Sequence, residues 1–117
     1  MTVRTCLPDA PGLVVHRLPL PQCCPVSGNP LPGSTLTMAY LPKDRVFPVE
    51  WLESLIREYQ GGHASRNIRN MEEMVQDLAI RAAENTGVRV RVRADLKINP
   101  PQGGTVQDLL MTARARP

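Results

Sequence analysis

The stretch VRVRVRADLKI, residues 88–98, constrains this 117-residue chain most. Apolar and basic side chains alternate along it. Such a pattern suits a strand with one face buried and the other in water. That strand needs partners in a sheet and a layer to cover one side. Leu13-Val14-Val15-His16-Arg17-Leu18, ended by Pro19, reads as one partner, and TLTMAYL at 35–41, closed by Pro42, as another. Between them PQCCPVSGNPLP, residues 21–32, is dense in Pro, Gly, Ser and Asn, which predicts a structured loop. The pair is therefore an antiparallel hairpin with a long connection.

The period then changes. Val49, Leu52, Ile56 and Tyr59, with Leu55 beside them, recur at helical spacing. Pro48 takes the first helical position, where a missing N–H is harmless, and Gly61-Gly62 stops the helix. Met71, Met74, Val75, Leu78, Ala79 and Ala82 form the apolar face of a second helix. Asn70 caps it, Glu73 completes a capping-box-like pair, and Asn85 and Gly87 end it. TVQDLLMTA, residues 105–113, fits either a fraying fourth strand or a short helix, with the strand preferred. Helices between two pairs of strands indicate an α+β fold: an antiparallel four-stranded sheet with two helices on one face, ββααββ. Residues 1–11 are expected to be a flexible arm, 12–112 a single domain and 113–117 a tail.

Composition narrows the function. A net charge of +3 excludes a strongly basic nucleic-acid clamp, and 3% aromatic residues exclude a base-stacking platform. No run reaches the roughly 20 apolar residues of a membrane span, and no signal-peptide pattern is visible. Three cysteines, Cys6, Cys23 and Cys24, make a poor disulfide framework, so a reduced, cytoplasmic protein is expected. Arg89, Arg91 and Arg93 share one strand face. That face reads as a solvated surface beside an acidic neighbour, or as a set of phosphate contacts.

The chemistry centres on Cys24. A thiol in a Gly/Pro loop between strands is rigidly held and accessible, as a nucleophile must be. Glu72 falls in the first turn of the second helix, where the helix dipole favours its carboxylate. It is suited to accept two N–H bonds from the amidine-like edge of a guanine or a pterin.

The order of these elements resembles the QueF and QueF-like family of the tunnelling (T-fold) superfamily, over residues 12–108. Cys24-Pro25-Val26-Ser27-Gly28-Asn29-Pro30 is similar to the family's C-P-(V/I)-T-G-Q-P, and Tyr40-Leu41-Pro42 to its Y-I-P. Glu72-Glu73-Met74-Val75-Gln76 is similar to its E-D-C-V-N, and Pro101-Gln102-Gly103-Gly104 to its P-R-G-G. The resemblance implies a T-fold that oligomerises into a barrel ring and binds a 7-deazaguanine-type small molecule. It makes Cys24 the catalytic nucleophile, which attacks the nitrile of 7-cyano-7-deazaguanine to form a thioimide. Glu72 becomes the ring anchor, with Ser27 and Gly28 in the substrate-binding loop. Cys23 has no counterpart in the motif and is expected to pack.

Three departures separate the chain from the NADPH-dependent reductases. Leu31 stands where the family has a proton-donating Asp, and Asp44 and His63 are the substitutes available. The reductase's E-S-K-S-L-K-L-Y is matched by residues 48–55, which carry neither lysine, so the NADPH motif is degenerate. The F-H before the anchoring Glu is replaced by Asn70-Met71. The resemblance therefore points to ammonia addition, giving a formamidine as in the QueF-like amidinotransferases, ahead of NADPH reduction. The substrate is then the free base or the base within tRNA. The alternatives are a zinc T-fold hydrolase using Cys24, His63 and Glu72, and a non-catalytic deazaguanine- or pterin-binding protein.

Overall fold

The computed structural model describes Arg4–Thr5 and residues 12–23, 28–61, 70–100 and 103–117. The alternating stretch forms β5, Val90–Ile98, and is the inner strand its pattern requires. Val90, Val92, Ala94 and Leu96 are buried, while Arg91, Arg93 and Lys97 are exposed. On one side β5 pairs with β3, Thr35–Tyr40, in a register from Thr35↔Asp95 to Tyr40↔Val90. On the other it pairs with β6, Gln107–Ala115, from Val90↔Ala115 to Ile98↔Gln107. β2, Val14–Pro19, completes a wholly antiparallel sheet in the order β2-β3-β5-β6.

The ambiguous C-terminal segment is thus a strand, and it runs to Ala115. Its apolar spacing alone does not decide its type. A full-length ladder with β5 satisfies its backbone groups, and a helix there would leave that flank of β5 unpaired. Arg4–Thr5, β1, lies in the segment expected to be an arm and pairs antiparallel with Arg45–Val46, β4.

Both helices lie between the hairpins in sequence, and one core cluster joins them to the sheet. α1 is Val49–Glu58 and buries Leu52, Leu55 and Ile56. Pro48 sits at the N-cap, one residue earlier than expected. Val49, expected on the apolar face, is 59% exposed because it opens the helix at its solvent end. α2 is Met71–Thr86. The Asn70 side chain accepts from the Glu73 N–H at 2.8 Å, and its amide donates to the Glu73 carboxylate at 2.8 Å. Gly87 ends α2 in the left-handed region (φ 74°), and its N–H donates to Ala83 O. An alanine there would bring strain and a Cβ 2.7 Å from the Arg45 guanidinium. Ala79, Ala82 and Ala83 are all buried, and their small side chains let α2 lie close over β5 and β6.

The topology gives the domain two ends. β2, α1 and β5 run from a first end to a second, while β3, α2 and β6 run back. The first end gathers residues 41–48, the α2 terminus and the start of β5. There His16 stacks on Tyr40 with ring centroids 5.9 Å apart, and Phe47 stacks on Trp51 at 4.8 Å. The Tyr40 hydroxyl accepts from the Phe47 N–H at 2.7 Å and lies 3.3 Å from His16 Nε2. The arrangement that uses both groups has Tyr40 O–H donating to a neutral Nε2.

Burial holds the His16 imidazole below its ordinary value. The unfolded chain then binds the proton more readily than the folded one, so the contribution is complete above the unfolded value, about 6.5, and is lost as pH falls through the folded value. Thermal melts from pH 7 to pH 5 are expected to show wild type losing stability relative to His16→Gln. Parallel curves would contradict the assignment.

Candidate functional site

The second end of the sheet collects the loop after β2, the end of α1, the start of α2 and the β5–β6 connection. The site is built there from backbone upward. Cys24, Pro25, Val26 and Ser27 lie outside the described residues, but both flanks of their loop are anchored. The Cys23 N–H donates to Asn29 O at 3.0 Å, which closes the loop across its base. The Gly61 N–H donates to Cys23 O at 2.6 Å, and Gln60 Nε2 donates to Gln22 O at 3.2 Å, tying this base to the end of α1. The Cys23 thiol is half-buried against the core, 3.5 Å from Pro21 O.

The other flank is fastened to β5. Asn29 Nδ2 donates to Asn99 O at 2.9 Å, and the Asn99 N–H donates to Asn29 Oδ1 at 2.8 Å. One side-chain amide thereby satisfies both backbone groups of a residue just past the end of a strand. The Leu31 N–H donates to Lys97 O at 2.8 Å. Fully buried Ser34 donates to Leu31 O and accepts from the Lys97 N–H, both at 2.9 Å. Gly28, with φ 73°, makes the turn between the loop and this clamp. The Asn29–Pro30 peptide is cis. Leu31 occupies a half-buried position inside this hydrogen-bonded corner.

Glu72 is exposed in the first turn of α2. The capping work there is done by Asn70 and Glu73, and Glu72 has no hydrogen bond or ion pair among the described residues. Its carboxylate thus remains available to a ligand at the same end as the Cys24 loop. Gly103 and Gly104, both at positive φ, belong to the connection that also emerges there. His63 lies outside the described residues. It follows Gly61, whose N–H is bonded to the residue before Cys24.

Asp44 is elsewhere. It stands beyond the opposite end of β3, exposed and 3.8 Å from Arg45. The six residues of β3 separate it from the loop, a strand length of about 20 Å. Within one chain it stands at the opposite end of β3 from the described flanks of the Cys24 loop.

Two open grooves flank the loop. One, about 280 Å³, runs along Leu18–Pro21 against Glu53, Ile56, Arg57 and Gln60. Glu53 and Arg57 pair with each other there at 2.7 Å. The second, about 330 Å³, lies between Gly33, Lys97, Asp108 and Leu110, where Lys97 and Asp108 pair at 3.2 Å. Among the described residues no three His, Cys, Asp or Glu side chains come together to hold a metal ion, and no helix is long and apolar enough to cross a membrane.

Two features escaped the sequence reading. The first is the Asn29–Asn99 clamp, whose only sequence signal is an amide at the position where the resembling family also has one. The second is a buried polar link behind the site. The Tyr59 hydroxyl donates to Asp77 at 2.7 Å and accepts from Arg81 at 3.2 Å, and Arg81 also pairs with Glu58 at 3.6 Å. Burial, with Asp77 beside it, raises the Tyr59 phenol far above its ordinary value. Asp77 signals itself as an acid within the apolar face of α2.

Asn29→Ala removes both bonds of the clamp, about 1 kcal/mol each. Faster hydrogen exchange at the Asn99 and Leu31 amides is expected, with the β5 interior still protected. Unchanged exchange at both amides would show that the clamp does not hold the loop.

No protein-family model, curated protein or solved structure matches this chain.

Proposed function

We propose that the protein processes the nitrile of 7-cyano-7-deazaguanine through a thioimide on Cys24, in the manner of the QueF-like amidinotransferases. The observation that carries this reading is spatial. Three motifs far apart in sequence, the Cys24 loop, Glu72 and the Gly103-Gly104 turn, have their described residues at one end of a single sheet. A strand-rich scaffold that fastens a thiol loop at both flanks, opposite an uncommitted carboxylate, suits nucleophilic attack on a planar heterocycle.

The steps follow from the groups present. Glu72 accepts two N–H bonds from the ring edge and orients the base. The Cys24 thiolate adds to the nitrile carbon, and the nitrile nitrogen takes up a proton, leaving a C(=NH)–S bond. Ammonia then adds to the same carbon, the C–S bond breaks, and the thiolate leaves with the formamidine formed. Leu31 supplies no proton. His63, two residues after Gly61 in sequence, is the proton donor we propose.

The NADPH alternative does not fit the residues. α1 opens with Glu50 and Glu53 rather than lysines, and like charge there opposes nucleotide phosphates. The base is taken either free or within tRNA.

The ring assembly belongs to the same proposal. Among the described residues β2 and β6 are the edges of the sheet, and Leu109 and Leu110 of β6 and Val15 of β2 are exposed. Free edges with apolar side chains favour pairing of β6 with β2 of a neighbouring copy. A monomer in light scattering at micromolar concentration would contradict this.

Intact-protein mass after mixing with 7-cyano-7-deazaguanine tests the chemistry. Wild type is expected to gain one whole ligand mass, since addition expels nothing, and Cys24→Ala to gain none. Ammonium should then discharge the adduct. Capture by Cys24→Ala, or binding without any adduct, would overturn the catalytic reading; the second result would favour a binding module.

A further inference from the structure

The face of the sheet that the helices do not cover has an uneven charge. Near the Cys24 loop its cations are matched. Arg93 donates to both Asp95 oxygens at 3.0–3.3 Å, which holds that carboxyl below its usual range, and Lys97 pairs with Asp108. At the other end the balance fails. Arg91 and Arg114 are direct cross-strand partners in the β5–β6 register. Arg89 and Arg116 flank that row one step beyond the ladder, and Arg89, Arg114, Ala115 and Arg116 line a hollow of about 160 Å³. None of these four arginines has a hydrogen bond or ion pair among the described residues. Like charges directly opposite in a sheet repel. The fold thus carries an unfavourable juxtaposition at one place on this face while neutralising its neighbours.

We propose that Arg89, Arg91, Arg114 and Arg116 form a binding site for phosphate groups. Guanidinium groups present forked donors that match phosphate oxygens, and a bound phosphate removes the repulsion between them. The two unmatched basic rows, 89 with 116 and 91 with 114, lie one two-residue step of about 7 Å apart along the strands. The hollow therefore accepts a single phosphate or pyrophosphate group, and the Arg91–Arg114 row beside it accepts the next phosphate of a polynucleotide. The site is independent of the proposed thioimide chemistry. It lies at the far end of β5 from the loop, beyond the reach of a base held between Cys24 and Glu72 in the same chain.

The test is titration calorimetry with pyrophosphate and, separately, with a single-stranded RNA oligonucleotide, at several salt concentrations. Three proteins are compared: wild type, R114Q/R116Q, and K43Q/R57Q, which removes the same charge elsewhere. Exposed Arg→Gln changes at the end of β6 and just past it relieve repulsion, so the first variant should melt no lower than wild type. Saturable pyrophosphate binding, weakened at least tenfold only in R114Q/R116Q, supports the site with a small phosphate compound as its ligand. RNA binding alone, with the slope of log K against log salt reduced by about 1.5 in that variant, supports it with a polynucleotide as ligand. Binding of neither probe, or equal loss in both variants, overturns it. Cys24→Ala should bind like wild type, which separates this result from that of the adduct experiment.

Discussion

The pairing of β3 with β5 is the constraint on which the rest depends. These strands belong to hairpins separated in sequence by both helices, so closing them together costs chain entropy before any contact forms. The return comes from one apolar layer. Leu36, Met38 and Tyr40 of β3 and Val90, Val92 and Ala94 of β5 meet under α1 and α2, and all are buried. A slip of one residue would turn every arginine of β5 into the core, so the register is strongly specified. β5 also carries Asn99 just past one end, where the Asn29 side chain clamps it, and Arg91 near the other, opposite Arg114 of β6. Both ends of the molecule draw residues from this one strand.

The two ends use polar groups in opposite ways. At the loop end, Asn29, Ser34 and the backbone of Leu31, Lys97 and Asn99 satisfy one another, with the Tyr59–Asp77–Arg81 link beneath. Satisfied networks of this kind rigidify a loop without closing it. At the arginine end the charges on the open face are left uncompensated. Anchored loop flanks and an uncompensated cation cluster are different provisions, the first proposed to serve chemistry and the second attraction.

Much of the fold was legible because side-chain period and caps agreed. The β5 alternation, the Asn70–Glu73 cap and the Gly87 stop each appear where the sequence places them. β6 was legible only as the preferred of two readings, since its apolar residues follow no clean period and its identity comes from the strand beside it. The site was legible only in part. Glu72 could be singled out, but its freedom depends on Asn70 and Glu73 carrying the cap. Asp44 was a reasonable acid by type, but the hairpin puts residues 41–48 at the end of the chain's own sheet away from its long loop. The clamp amides and the Arg114–Arg116 pair carry no local pattern, and they acquire meaning only from the register.

A structure of the protein with 7-cyano-7-deazaguanine tests the central claim most directly. The account predicts continuous density between Cys24 Sγ and the former nitrile carbon, with the Glu72 carboxylate on the N–H edge of the ring and the Asn29–Asn99 pair intact. A base bound at that end with its nitrile turned away from Cys24, or bound elsewhere on the chain, would contradict it.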